Sequence, residues 1–300
     1  MVRTLLTFLI SLGFIFGMEL KKVSESIYMA QGVNALPSKE NRGFMSNAYA
    51  VLTDEGWVVV DTLSTPELGR EFISELKKIK DAPILYAIVT HYHMDHWFGA
   101  SAFKEAGAKI VAHKNLKDFY DSGEADSVLN GVKSSFPGVF DNVKLTPPDV
   151  VVDSRVKLRV GNDTFLIIPM TPAHTNTDIV VFKNRVLFAG DLTAKRRIVF
   201  MGDRNASSKG WVEVLNKLKE LKPKLVLSGH GEPGGLEVIK ETQDYIAFVR
   251  ENVARLKDEG KFIDEIREAL KDTPYKNLPM YDVFHLRNVY RVFNELDMEL

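Results

Sequence analysis

The stretch "IVTHYHMDHWFG" (residues 88–99) places His91, His93, Asp95 and His96 within six positions of a 300-residue chain that has seven histidines in all. A lone histidine is ordinarily a core or surface residue. Four ligand-type side chains this close are different, because clustered imidazoles cost desolvation and mutual repulsion unless a cation holds them neutral and paired. The spacing therefore points to a metal site. Further donors stand at equivalent places: His174 ends "FLIIPMTPAH", Asp191 ends "RVLFAGD" and His230 ends "KLVLSGH", each reading as the polar residue just past a buried strand. Strand ends gather along one edge of a sheet, so residues far apart in the chain can converge there. Asp61, closing "WVVVDT", has the same relation to its strand and reads as a group that orients a ligand from behind. His113 and His285 are left over and read as structural. Histidine and carboxylate donors suit zinc first, with iron or manganese able to use the same cage. The absence of cysteine excludes thiolate metal sites and cysteine nucleophiles.

These donors need elements to position them, and the hydrophobic pattern supplies candidates. "AYAVLTDEGWVVVDT" reads as two strands turning at Asp54-Glu55-Gly56, and "TPELGREFISELKKIK" as a helix with Leu68, Phe72, Ile73, Leu76 and Ile79 on one face. "APILYAIVT" is a buried strand leading into the histidine cluster, "HWFGASAFKEAG" a helix, and "AKIVAH" another strand. After residue 145, "VVVDSRVKLRV", "DTFLIIPMTPA", "DIVVFKNRVLFAGD" and "PKLVLSGHG" read as strand runs, with "SKGWVEVLNKLKELK" an amphipathic helix between the last two. Two strand-rich halves carrying helices imply an α/β fold of four layers, an αββα sandwich. Residues 115–145 lack a strand period and read as an insertion walling a pocket. The division expected is a leader or anchor at 1–17, a main domain at 18–235 and a C-terminal helical extension at 236–300 packed on it.

With 39 basic and 40 acidic residues and no long run of one sign, charge points to neither nucleic acid nor an anionic membrane surface. Arg3 followed by the uncharged "TLLTFLISLGFIFG" fits a secretory signal peptide, being shorter than the roughly 18 residues of a spanning helix. An exported protein, periplasmic or extracellular, is expected. Ile15 departs from the small-residue preference near a cleavage site, so an uncleaved membrane anchor stays open, and a true start at Met18 would leave the chain cytoplasmic.

The order "THYHMDH", His174, "FAGD", "SGHG" resembles the metallo-β-lactamase-fold superfamily, with its recurrent motifs running from Asp61 to His230. That resemblance implies two metal sites, the first from His91, His93 and His174, the second from Asp95, His96 and His230, with Asp191 bridging. Where many members have paired glycines, "DHWFGA" has only Gly99. Cysteine-using lactamases are ruled out, Asp191 argues against the branch lacking a bridging aspartate, and "DLTAKRR" lacks the tyrosine of the lactonases. The stretches "PAHTNTD", "LFAGD" and "WVEVLNKLKELKPK" are similar to the exported zinc metallohydrolases found beside quinoprotein and sulfur-oxidation systems.

The resemblance implies two zinc ions sharing a hydroxide that attacks an ester, thioester, lactone or lactam carbonyl, with Asp95 as the catalytic residue that orients the nucleophile and shuttles its proton. Two other readings stay open: a single-iron dioxygenase using His91, His174 and Asp191, and a metal-binding protein without catalysis. Lys195, Arg196, Arg197, Asp203 and Arg204 either rim a pocket for an anionic small-molecule substrate or are loop charges facing water. Tyr92 reads as packing. The helix "YDVFHLRNVYRVFNEL" offers Val283, Leu286, Val289, Tyr290 and Phe293 to the core or to a second subunit, leaving a homo-oligomer open.

Overall fold

Alternation of apolar residues sets the layers. In the computed structural model, which describes residues 17–298, the first sheet has seven strands whose spatial order is their chain order. They are β1 (Leu20–Lys22), β2 (Ile27–Ala30), β3 (Ala48–Leu52), β4 (Trp57–Val60), β5 (Ile84–Ile88), β6 (Lys109–His113) and β7 (Val150–Val152). Neighbours are antiparallel up to β4 and parallel beyond it. Parallel neighbours need crossovers. Helix α1 (Pro66–Ile79) makes the first, the short α2 (Met94–Trp97) and α3 (Ala100–Glu105) the second, and α4 (Lys114–Asp121) with α5 (Glu124–Ser135) the third. The second sheet runs antiparallel through β8 (Val156–Val160), β9 (Asp163–Pro169), β10 (Ile179–Lys183) and β11 (Val186–Ala194). After α6 (Ser208–Glu220), β12 (Leu225–His230) joins β11 in parallel. Then follow α7 (Leu236–Asp258), α8 (Ile263–Ala269) and α9 (Tyr281–Met298). The leader lies outside the described residues except for Gly17. No helix among the described residues is long and apolar enough to cross a membrane.

The period of two along each strand divides the core. In β3 and β4, Ala48, Ala50, Trp57 and Val59 pack with Leu68, Phe72 and Leu76 of α1, while Tyr49, Val51, Val58 and Val60 pack against Phe165, Ile167, Val181 and Phe188 of the second sheet. On its other face, Val180, Leu187, Ala189 and Val226 meet Trp211 and Leu215 of α6, Ile246 and Val249 of α7, and Val289 and Val292 of α9. Helix, sheet, sheet and helix are thus stacked around three apolar clusters, the four-layer α/β sandwich expected.

Several details differ from the sequence reading. "VVVDSRVKLRV" is not one strand: polar Asp153-Ser154-Arg155 breaks it, so that β7 ends the first sheet and β8 begins the second. "DIVVFKNRVLFAGD" is the β10–β11 hairpin, turned by Asn184 and Arg185, both at positive φ as a two-residue hairpin turn requires. "HWFGASAFKEAG" is two short helices rather than one. The chain must bend at Gly99, where a Cβ would lie 1.9 Å from the Thr62 carbonyl oxygen. Ile79 is exposed, because α1 ends there. On α9 the buried face carries Tyr281, Phe284, His285, Asn288, Val289, Val292 and Glu295, and Tyr290 faces water. Val289 is buried and Val283 and Phe293 pack on the core as expected, but three further inward residues, His285, Asn288 and Glu295, are polar and escape apolar periodicity.

Candidate metal centre

All seven candidate ligands meet at one edge of the sandwich. His91 follows the end of β5, His93 precedes α2, Asp95 and His96 lie on α2, His174 sits in the β9–β10 loop, and His230 ends β12. Asp191 is inside β11 rather than past its end. The β11–β12 register shifts around Gly190, which has φ +51°, and this irregularity carries Asp191 to the sheet edge. Ligand atoms of His91, His93, His174 and Asp191 lie within 4.8 Å of one another, as do those of Asp95, His96 and His230. Asp191 stands between the groups: Oδ1 is 3.2 Å from His96 Nε2, and Oδ2 is 3.3 Å from His230 Nε2 and 3.6 Å from His174 Nε2. Asp95 Oδ2 is 3.3 Å from His230 Nε2 and 3.5 Å from His96 Nε2. Gly229 is required here, since a Cβ would lie 2.0 Å from Asp191 Oδ1.

What stands behind each ring fixes its tautomer. Asp61 Oδ2 lies 2.8 Å from His96 Nδ1, so that nitrogen donates to Asp61 and Nε2 is the one that turns inward. Thr90 donates its hydroxyl to Asp61 (3.1 Å), which leaves its oxygen to accept from His91 Nδ1 at 3.0 Å. His230 Nδ1 donates to the Met45 carbonyl at 2.9 Å. His93 Nε2 donates to Asp203 at 3.0 Å, freeing Nδ1, which lies 2.9 Å from His174 Nε2. Asp61 holds this position in a left-handed conformation (φ 66°) that a residue other than glycine adopts only when its surroundings demand it. Its Oδ1 accepts from the Thr90 amide at 2.8 Å.

The inward atoms fit cations. His91 Nε2, His96 Nε2 and Asp191 Oδ1 are buried and have no hydrogen-bond partner among the described residues. Orphaned polar atoms of this kind are rare in folded proteins unless something else binds them. Burial and the neighbouring imidazoles His96, His93 and His174 hold His91 well below the ordinary histidine range, and burial beside His93 takes His174 down to about 3. Burial acts the same way on His96, but Asp191, Asp95 and Asp61 outweigh it and raise it well above. Against the burial that would raise them, His96 and His230 keep Asp95 and Asp191 ionised. Neutral imidazoles at His91 and His174 and ionised carboxylates at Asp95 and Asp191 are the protonation states that metal binding needs, whereas His96 would give up a proton to a metal.

Four contributors escaped the sequence reading. Tyr92 does more than pack: its hydroxyl donates to Asp203 Oδ2 at 2.5 Å while its ring stacks on Phe119. Asp203 is buried under His93 and Tyr92, whose hydrogen bonds overcome burial and hold it well below the usual carboxylate range. Asn47 ties the two sheets together beside the site, donating from its backbone to Gly229 O (2.7 Å) and from its side chain to Ser228 O (3.0 Å) and Gly231 O (2.8 Å). Asn288 of α9 accepts from the Met201 amide (2.8 Å) and donates to Val199 O (2.7 Å), bracing the loop that carries Asp203. Of the five loop charges, Lys195 is tied to Pro233 O and Glu237, Arg204 to Glu124, and Arg196 is exposed; only Arg197 and Asp203 turn inward. His113 caps α4 by accepting from the Asn115 amide, and His285 is buried against Tyr245 and Leu270 O.

Beside the centre lies a cavity of about 380 Å³, reached by His93, Asp95, Asp191 and His230 and walled on one side by Phe119, Val128, Val132 and Phe136 of the α4–α5 insertion. Residues 41–230 match the family model described as "Metallo-beta-lactamase superfamily". The chain is 26% identical over 260 residues to a linear primary-alkylsulfatase of a Pseudomonas species, a match covering 74% of this chain and 49% of that protein. It thus spans about half the length of that relative. It is 25% identical over 236 residues to the metallo-beta-lactamase type 2 of Elizabethkingia meningoseptica, covering 76% of this chain and 85% of the lactamase. Among solved structures, a metallo-beta-lactamase from Pontibacter korlensis superposes with a TM-score of 0.60 at 21% identity, over 76% of this chain and 98% of that one. The stereoselective inverting sec-alkylsulfatase from a Pseudomonas species superposes with a TM-score of 0.73 at 17% identity, over 92% of this chain and 50% of that one. The latter match is too long to stop at residue 230 and includes C-terminal helical structure.

Proposed function

Because this chain belongs to the metallo-beta-lactamase superfamily, we propose that it is a hydrolase holding two divalent cations, zinc first, that cleaves a carbonyl substrate of the ester, thioester, lactone or lactam type. The observation carrying this reading is the orientation of the rings: His91, His93, His96 and His230 each have one nitrogen committed to a group behind it and the other aimed at Asp95, Asp191 or a neighbouring ligand. His91, His93 and His174 would hold one cation and Asp95, His96 and His230 the other, with Asp191 serving both. Cations so placed supply Lewis acidity and a water acidified toward neutral pH.

The chain's own groups do the rest. Asp95, on the cavity wall and held ionised, orients an attacking water and takes its proton for delivery to the leaving group. Asp61 and Asp203 keep His96 and His93 in register, and the apolar wall of α4 and α5 restricts water around the scissile bond. A sulfate ester is a second reading of the same site, favoured by similarity to an alkylsulfatase over 74% of the chain. A single-iron dioxygenase would use His91, His174 and Asp191 and leave Asp95, His96 and His230 without a role.

Elemental analysis of the purified protein, joined to a panel of esters, thioesters, lactones, β-lactams and sulfate esters with and without chelator, tests this reading. Two metals per chain and chelator-sensitive turnover are expected. One iron with oxygen uptake, or full metal content with no turnover anywhere in the panel, overturns it.

A further inference from the structure

We propose that the cavity beside the metal centre receives an apolar chain bearing a single oxyanion, and that Arg197 binds the oxyanion. Only the view that this cavity is a substrate site rests on the hydrolase reading. Arg197 lines the cavity with its guanidinium over the Phe284 ring, 5.8 Å from the centroid. Its Nε and Nη1 are buried and have no hydrogen-bond partner among the described residues. Buried guanidinium N–H groups left without acceptors are costly, and an arriving anion would supply the acceptors. Burial lowers its pKa, and the charges offsetting that are Asp191 and Asp95. Both carboxylates are already engaged with His96 and His230, and both would be spent on cations once metals bind. The counter-charge for Arg197 must then come with the ligand.

Of the other cations on the same loop, Lys195 is tied to Glu237 and Pro233 O and Arg204 to Glu124, while Arg196, like Arg287 at the cavity mouth, is exposed. Arg197 is held ready. Asn288 pins the backbone at Val199 and Met201, and Phe284 of the same helix lies beneath the guanidinium. Its planar fork matches a carboxylate or a sulfate group. The remaining wall is apolar, with Met45, Phe119, Val132, Phe136, Phe200 and Phe284 contributing, which suits an aliphatic or aromatic body and penalises a second charge.

The test measures binding, not turnover, on the zinc-loaded protein by titration calorimetry with octanoate, octane-1-sulfonate and octan-1-ol. At least one anion should bind about tenfold or more tightly than the alcohol, the factor expected of one charge-assisted contact. Arg197→Met should erase that preference and Arg197→Lys should keep part of it. Tighter binding of the sulfonate assigns the oxyanion to a sulfate-type group, and tighter binding of octanoate assigns it to a carboxylate. Equal binding of alcohol and anions by the wild type overturns the proposal. So does an anion preference that survives unchanged in Arg197→Lys and Arg197→Met, since the metals would then hold the anion. If Arg197→Met does not fold, the wild-type and Arg197→Lys arms decide. Anion-selective binding without any hydrolysis would sink the hydrolase reading and leave this one standing; hydrolysis without anion preference would do the reverse.

Discussion

The cavity has two walls of different origin. On one, His93, Asp95, Asp191 and His230 present the edge of a cluster of five imidazoles and two carboxylates that stand after β5, on α2, in the β9–β10 loop and on β11 and β12, where sheet topology brings these segments together. On the other, Arg197, Phe200 and Asp203 ride on a loop with no regular structure, fixed from behind by Asn288 and by Glu295, which accepts from Ser207 Oγ and the Ser208 amide at the start of α6. The first wall is rigid because backbone ladders position it. The second depends on a few side chains reaching backbone groups more than eighty residues earlier in the chain. The candidate metal ligands sit on the ladder, and the proposed oxyanion contact sits on the braced loop. Asp203 joins the two, since it leaves the loop to hold His93.

The sharpest break between the walls should come from removing a ligand. Asp191→Ala, which empties the position shared by both donor groups, should cut metal content from two per chain toward one or none by elemental analysis and abolish turnover with it. Full metal content in that variant would separate Asp191 from the centre. Next in size, Asp203→Ala should weaken metal binding by about 10- to 100-fold in chelator competition, the range for partners that orient ligating histidines. If affinity does not change, the loop wall has no part in the metal centre.

A third outcome concerns pH. In the metal-free chain burial acts to lower His96, yet Asp191, Asp95 and Asp61 raise it well above the ordinary histidine value. Its pairing with them therefore stabilises the metal-free fold fully below the unfolded histidine pKa, and that stabilisation is lost as pH rises through the raised value. A metal must displace the same proton. Affinity should accordingly climb with pH through the neutral range, with proton release visible as a buffer-dependent heat in titration calorimetry. Uptake at pH 7 with no proton released would contradict this. The smallest effect should come from behind the loop: Asn288→Ala leaves the Met201 amide and Val199 carbonyl unpaired and should cost about 1–3 kcal/mol of stability in denaturant titration. Metal content should stay at the wild-type level; its loss would mean the two walls are not separable.

The residues themselves show how far each wall could be read from the chain. His91, His93, Asp95 and His96 declare themselves by crowding, and His174, Asp191 and His230 by closing apolar runs. Asp203 and Arg197 are two of five loop charges that either rim a pocket or face water, with nothing in the sequence to tell them from Lys195, Arg196 and Arg204, and Tyr92 reads as packing between ligands. On α9 the apolar residues Val283, Val289 and Phe293 pack as expected, but Asn288 and Glu295 are polar, and what draws them inward is a set of backbone donors and acceptors in residues 199–209.

The sequence by itself determined the alternation that makes two half-buried sheets, the donors at their strand ends and the exclusion of thiolate chemistry. Those signals are local, since a side chain's face follows from the backbone period and its donor type from its own atoms. The tertiary structure alone decided which nitrogen of each imidazole turns inward, that Asp203 backs His93, and that one arginine of the loop has buried N–H groups with no hydrogen-bond partner among the described residues. Each of these depends on contacts between segments distant in the chain, and no periodicity within a segment encodes what will pack against it.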